Sequence, residues 1–196
     1  MSFLENVKKL RFKTSAGMME CKEALKEADG DIDKAVELLR KKGVAKAAKK
    51  SSRVTGQGII ETYVHTGGRI GVMLEVNCET DFVARNNEFK KAARDLAMQV
   101  AAANPIYVSR DDIPSDAIEK EKDIFRSQIK DKPKDVIEKI VDGKLEKYFS
   151  EVCLIEQPYI KDPEVKIKEL ITQLIAKTGE NISVKRFARY EVGEEY

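Results

Sequence analysis

Apolar positions near the amino terminus recur at helical spacing in three short blocks. Leu4, Val7 and Leu10 repeat at three, Met18, Cys21, Leu25 and Ala28 at three and four, and Ile32, Ala35, Val36 and Leu39 likewise. Each block therefore has a single apolar stripe, which predicts a bundle of three helices over residues 1–43. Gly30 followed by Asp31 reads as the end of the second helix and the cap of the third, and Gly43 as the stop of the third. Met18 and Met19 are adjacent, so on a helix they point about 100° apart and so thin a bundle cannot bury both. One of them is expected to face outward, where a flexible thioether adapts to a partner surface. Lys22 lies one helical turn further on.

The period changes after residue 57. Ile60, Thr62 and Val64 alternate with Ile59, Glu61 and Tyr63, Thr66-Gly67-Gly68-Arg69 supplies a turn, and Ile70, Val72, Leu74 and Val76 alternate again, the pattern of a β-hairpin. Past Asn77–Asn86 the spacing turns helical: Phe89, Ala92, Ala93, Leu96, Ala97, Val100 and Ala101 form a broad apolar face that Asn104-Pro105 ends. Two charged helices are predicted at about 115–130 and 134–151, separated at Pro133, and another over 164–177 through Val165, Ile167, Leu170, Ile171 and Leu174. The tail from Ile182 to Val192 reads as extended. The fold class is α+β, an amino-terminal helical bundle and then an antiparallel sheet with helices packed on it.

Charge sharpens this outline at one place. Arg40 to Arg53 holds seven basic residues and no acidic one, which predicts a basic linker over 44–57 before a core domain over 58–196. The run lacks the interleaved aromatics of a stacking surface for nucleic acid. The whole chain is balanced, 36 basic against 34 acidic side chains, which argues against a nucleic-acid-coating protein. With 196 residues, 42% of them hydrophobic, a proper core is within reach. The start, Met1-Ser2-Phe3-Leu4-Glu5-Asn6, has no apolar signal core, and no stretch is long enough to span a bilayer. Three scattered cysteines, Cys21, Cys78 and Cys153, suit reduced thiols. These features together predict a soluble, cytoplasmic protein with no membrane contact.

Catalytic chemistry finds little support. Cys78 beside Glu79, with His65 on the preceding strand, invites a thiol or metal site, but His65 is the only histidine and no cysteines are closely spaced. No Gly-rich phosphate loop is present, so direct nucleotide binding is not expected. The stretch Asn77-Cys78-Glu79-Thr80-Asp81-Phe82-Val83-Ala84-Arg85-Asn86 is different in kind: it joins a strand to a helix and sets an aromatic among charges. Thr80 or Asp81 could cap the helix with Phe82 tucked into the core. The junction could also hold Phe82 toward a partner.

The run Glu79–Asn86 resembles the signature of the elongation factor Ts family. Thr14-Ser15-Ala16-Gly17-Met18-Met19-Glu20-Cys21-Lys22-Glu23-Ala24-Leu25, Gly30-Asp31-Ile32-Asp33-Lys34-Ala35, Lys46–Lys50, Glu156-Gln157-Pro158-Tyr159-Ile160 and Arg186–Gly193 are similar to further parts of the same family, in the family's order. The resemblance implies a ubiquitin-associated-like bundle at the amino terminus and a guanine-nucleotide exchange factor acting on elongation factor Tu by contact, not an enzyme. It implies that Thr80, Asp81, Phe82 and Val83 dislodge the partner's magnesium ion, and that magnesium and GDP or GTP belong to the partner, with no cofactor or metal held here. Met18, Met19, Lys22 and Arg85 would face the partner; His65, before a glycine turn, is either structural or interfacial. Longer members carry two core subdomains, whereas the interval between the signature and Gln157 has room for one, which favours a homodimer. The rival functions are a ubiquitin-associated-like adaptor and an RNA-binding translation accessory without exchange activity.

Overall fold

In the computed structural model, which describes residues 2–14, 16–129 and 132–194, the amino-terminal periodicity becomes three helices, α1 (Phe3–Thr14), α2 (Met18–Glu27) and α3 (Ile32–Ala48). Ser15 of the family-like stretch and Lys130 at the end of a predicted helix lie outside the described residues. Val7, Leu10, Cys21, Ala24, Leu25, Ala28 and Ala35 close the bundle core, with Ile32, Val36 and Leu39 packed against it. Gly30 takes φ +85°, a left-handed conformation that glycine adopts without steric cost, and its N–H returns to the Leu25 carbonyl at 2.8 Å. Asp31 then caps α3, its carboxylate accepting from the Asp33 and Lys34 N–H groups at 2.9 and 3.0 Å.

The third helix does not stop at Gly43. It continues to Ala48, so the first part of the predicted linker is helical. Gly43 has no positive φ, and a Cβ there would meet the Ala176 Cβ at 3.5 Å. With Ala45, Lys46, Ala47 and Ala48, all good helix formers, close behind it, one glycine costs only about 1 kcal/mol and does not end the helix.

The strands are β1 (Gln57–Val64), β2 (Ile70–Cys78), β3 (Pro158–Tyr159), β4 (Asp162–Lys166) and β5 (Ile182–Glu191). The remaining helices are α4 (Asp81–Ala84), α5 (Asn87–Ala103), α6 (Ser115–Ser127), α7 (Lys134–Val152) and α8 (Ile167–Thr178). The larger sheet has the order β1-β2-β5, and β3 pairs antiparallel with β4. The hairpin turn is the one expected: Gly67 and Gly68 have φ of +93° and +70°, and the His65 N–H donates to the Ile70 carbonyl at 2.9 Å. Along β2, Val72, Leu74, Val76 and Cys78 are buried while Met73 is exposed. The helix predicted over 164–177 starts later than expected, because Asp162–Lys166, with Val165 in it, is a strand paired with β3. Lys166 pairs with Pro158, and helical spacing begins at Ile167.

The chain divides into two units, Met1–Ile59 with Val76–Ala92 and Glu169–Ser183, and Ile60–Glu75 with Ala93–Lys168 and Val184–Tyr196. The first holds the bundle, the signature and most of α8. In the second, Ile113, Leu145, Phe149 and Cys153 form a core cluster with Phe125 and Tyr148 beside it. The family-like stretch at 156–160 is built into that unit through two buried amides. Gln99 donates to the Gln157 side-chain oxygen and the Pro158 carbonyl, both at 3.1 Å, and accepts from the Ile160 N–H at 2.8 Å. Gln157 in turn donates to the Glu151 carbonyl at 2.8 Å. Tyr159 is buried, and burial, with a hydrogen bond to Asp95, pushes its phenol up to about 12. Among the described residues no helix is long and apolar enough to cross a membrane.

Candidate functional site

The signature forms a single helical turn set between a strand and a long helix. Strand β2 ends at Cys78, Thr80 is extended with φ −126° and caps α4, and Arg85–Asn86 lead into α5. The Thr80 hydroxyl accepts from the Val83 N–H at 3.4 Å, and the Asn86 side chain accepts from the Glu88 N–H at 2.7 Å to start α5. Within this turn the four predicted tip residues divide. Val83 and Ala84 are buried and pin the turn from beneath, while Phe82 is 79% exposed. The capping half of the core reading thus holds for Thr80, and the half that tucks Phe82 inward does not. A ring in this position forgoes the roughly 1.5 to 3 kcal/mol that burial would supply. Asp81 is also outward and pairs with Arg85 at 2.9 Å, one turn along.

The turn is held from the side by residues that the sequence pattern did not single out. Glu180 and Asn181 lie between α8 and β5, after Gly179 at φ +79°. Glu180 Oε2 accepts from the Glu79 and Thr80 N–H groups at 3.1 and 3.0 Å, and Oε1 accepts from the Thr80 hydroxyl at 2.6 Å. Glu79 reciprocates, accepting from the Asn181 N–H at 2.6 Å and from Arg53 at 3.5 Å. The Asn181 amide donates to the Ser51 and Arg53 carbonyls at 3.3 and 2.9 Å. Only the run Gly179-Glu180-Asn181, a turn with a carboxylate and an amide, hinted at this in the sequence.

Cys78 has no nucleophilic character. It is buried, its thiol donates to the Thr80 carbonyl at 3.1 Å, and burial, followed by the nearby Glu180 charge, pushes it away from the thiolate. His65 belongs to the other unit, exposed, with Nδ1 3.0 Å from the Tyr63 hydroxyl. Tyr63 lies under the Arg94 guanidinium at 4.8 Å, so His65 has a structural partner there. Among the described residues no three of His, Cys, Asp and Glu are grouped as a metal site.

On the bundle, both Met18 and Met19 are exposed, Met19 the more so, and Lys22 is exposed as well. The start of α2 is fixed by Glu20, which accepts from the Gly17 N–H at 3.2 Å and pairs with Lys46. Four of the seven basic side chains in the run form ion pairs within their own unit. Arg40 pairs with Glu169, Lys42 with Glu27, Lys46 with Glu20 and Arg53 with Glu79, and Lys50 donates to the Gly179 carbonyl. The run is thus the second half of α3 and its exit, tied down by ion pairs.

Comparison with known proteins matches sequences over nearly the whole chain. The elongation factor Ts from Thermotoga petrophila is 63% identical over 193 residues, covering 98% of this chain and 97% of that protein. The one from Thermotoga neapolitana is 64% identical over 192 residues, 98% of each, and that from Carboxydothermus hydrogenoformans 58% identical over 190 residues, 96% of this chain and 88% of the relative. The Thermotoga proteins are thus of nearly the same length, matching the short form with one core copy. With the family profile described as elongation factor TS matching residues 1–194 as well, the chain belongs to the elongation factor Ts family.

Proposed function

We propose that this translation elongation factor promotes release of GDP from elongation factor Tu by contact alone. The observation that supports the reading most is the outward Phe82 on a turn anchored by buried Val83 below and Glu180 at the side. In this reading the Thr80–Val83 tip enters the partner's nucleotide domain. Phe82 shifts the segments that hold the magnesium ion, and Asp81 exchanges its Arg85 partner for polar groups at the rim. Once the ion is displaced the phosphate charge is no longer neutralised and GDP leaves; GTP then rebinds and resolves the complex. No covalent bond changes, and the ion and nucleotides are the partner's.

The energetics require more than the tip. Exchange factor and nucleotide weaken each other by one coupling free energy, and a shift of about 10⁴ in affinity needs roughly 5.5 kcal/mol. One buried Phe supplies about 1.5 to 3 kcal/mol. The exposed Met18, Met19 and Lys22 face of the bundle is the proposed anchor for the remainder. An RNA-binding role is disfavoured by the internal pairing of the basic run. The adaptor reading leaves the anchored, outward aromatic without a purpose.

We also propose a homodimer in the cytoplasm. Its support is one face of the β1-β2-β5 sheet in the second unit, where Ile60, Val64, Met73 and Tyr190 are exposed, more apolar side chains than a solvated face needs. Light scattering at micromolar concentration should give about twice the chain mass; a monomer, free and bound, would exclude the dimer. The exchange reading is tested by the rate at which elongation factor Tu loses labelled GDP with and without this chain. No acceleration would sink it. Met19→Ala with Lys22→Ala tests the anchor, and is expected to raise the concentration needed for half-maximal effect while leaving the maximal rate unchanged. Truncation at residue 43 is a poorer test, because it would sever α3.

A further inference from the structure

A helix of one turn has no stability of its own, since nucleation is unfavourable and four residues add almost no propagation. The direction in which α4 points Phe82 must therefore be imposed by groups outside it. Its one side-chain cap is long, 3.4 Å from the Val83 N–H to the Thr80 hydroxyl, and Val83 and Ala84 fix only its underside. The Cys78 thiol holds the Thr80 carbonyl at 3.1 Å, and a further constraint comes from a residue 100 positions downstream.

We infer that Glu180 is a positioning residue for exchange: its carboxylate, laid against the Glu79–Thr80 backbone, sets the orientation of the turn that presents Phe82. The inference rests on the exchange reading above. Three donors converge on this carboxylate, two backbone N–H groups on one oxygen and the Thr80 hydroxyl on the other. Because the hydroxyl proton is committed to Glu180, a lone pair of the same oxygen is left facing the Val83 N–H, so the carboxylate also fixes the rotamer of the cap. Glu79 returns a hydrogen bond to the Asn181 N–H at 2.6 Å, and this reciprocal pair prevents the two segments from sliding past each other. Glu180 is itself held: its N–H donates to the Thr178 hydroxyl at 3.3 Å, and Asn181 is tied to the Ser51 and Arg53 carbonyls. Charge-assisted hydrogen bonds of this kind are about twice as strong as neutral ones, and they act on Glu79 and on Thr80, the first residue of the tip.

The test is stopped-flow release of a fluorescent GDP analogue from elongation factor Tu, over a range of concentrations of the full chain. Glu180→Ala is expected to lower the saturating release rate at least about tenfold, the order of loss that misplacing a working group produces, with the half-saturating concentration nearly unchanged. Glu180→Gln should recover most of the rate, because its carbonyl can take the two backbone N–H groups while its amide donates to a reoriented Thr80 hydroxyl. In a Phe82→Ala background Glu180→Ala should add no further loss, whereas a merely structural role would still depress the rate. Should Glu180→Ala fail to fold, Thr80→Val, which removes only the hydroxyl, carries the test with an expected loss of about threefold. A wild-type rate in folded Glu180→Ala or Thr80→Val, beside a slow Phe82→Ala, would overturn the positioning role and leave the exchange reading standing. A wild-type rate in Phe82→Ala would overturn the tip reading and the inference with it.

Discussion

Phe82 and Tyr159 each sit in a stretch that resembles the family, yet Phe82 is 79% exposed and Tyr159 only 9%. The surroundings account for the difference. Around Tyr159 the polar groups face inward and satisfy one another, Gln99 and Gln157 linking α5 to the chain on either side of Pro158. Around Phe82 they face the backbone behind it and leave the ring in solvent. A family-like motif can therefore be a structural plug or a working surface, and its residue types alone do not say which.

The comparison is broken most directly by truncating both aromatics. Tyr159→Ala should cost about 3 to 5 kcal/mol of stability through lost burial and a cavity, read by denaturant unfolding, with GDP release per folded molecule unchanged. Phe82→Ala should stay within about 0.5 kcal/mol of the wild type while slowing GDP release. Chelating magnesium should speed release from the partner alone and narrow that kinetic gap. The reverse assignment of effects would exchange the roles of the two stretches.

A smaller effect sharpens the structural side. Gln99→Ala strands the buried Gln157 amide oxygen and takes the acceptor from the Ile160 N–H, at a cost of about 1 to 3 kcal/mol, and should leave amide exchange at Glu79 and Thr80 as it was. On the working side, Gly43→Ala probes α3 without touching the tip. The new Cβ makes an ordinary contact with Ala176, so the helix should gain about 0.5 to 1 kcal/mol, seen as a small rise in Tm; a loss would mean that α3 and α8 pack more tightly than 3.5 Å implies.

The smallest effect is acid-dependent. Glu20 is held below its ordinary value of 4.5, first by the hydrogen bond from Lys46, against the opposing effect of burial, and then by the Gly17 N–H. A depressed carboxylate stabilises the fold above its unfolded pKa, and that contribution fades as pH falls below about 4.5 through the lower folded value. Glu20→Gln should flatten the pH dependence of bundle stability in that range and change nothing at neutral pH beyond the lost pair. An unchanged acid limb would mean that the Lys46 contact is too exposed to matter.

What the residues alone determined is what depends on local periodicity and turn chemistry. The bundle, the Gly67-Gly68 hairpin, α5 and the α+β class follow from spacing, because burying one face of an element needs only the right residues at the right interval. The motif was evident too, as an aromatic among charges at a junction. Gly43 misled because a glycine in mid-helix and one at a helix end look alike without the following contacts. The direction of Phe82, the plug role of Gln157 and Tyr159, the ion pairs of the basic run and the Glu180 support were set by tertiary contact. The contacts involved join groups from 15 to 129 residues apart, and no local pattern records which distant carboxylate or amide will arrive.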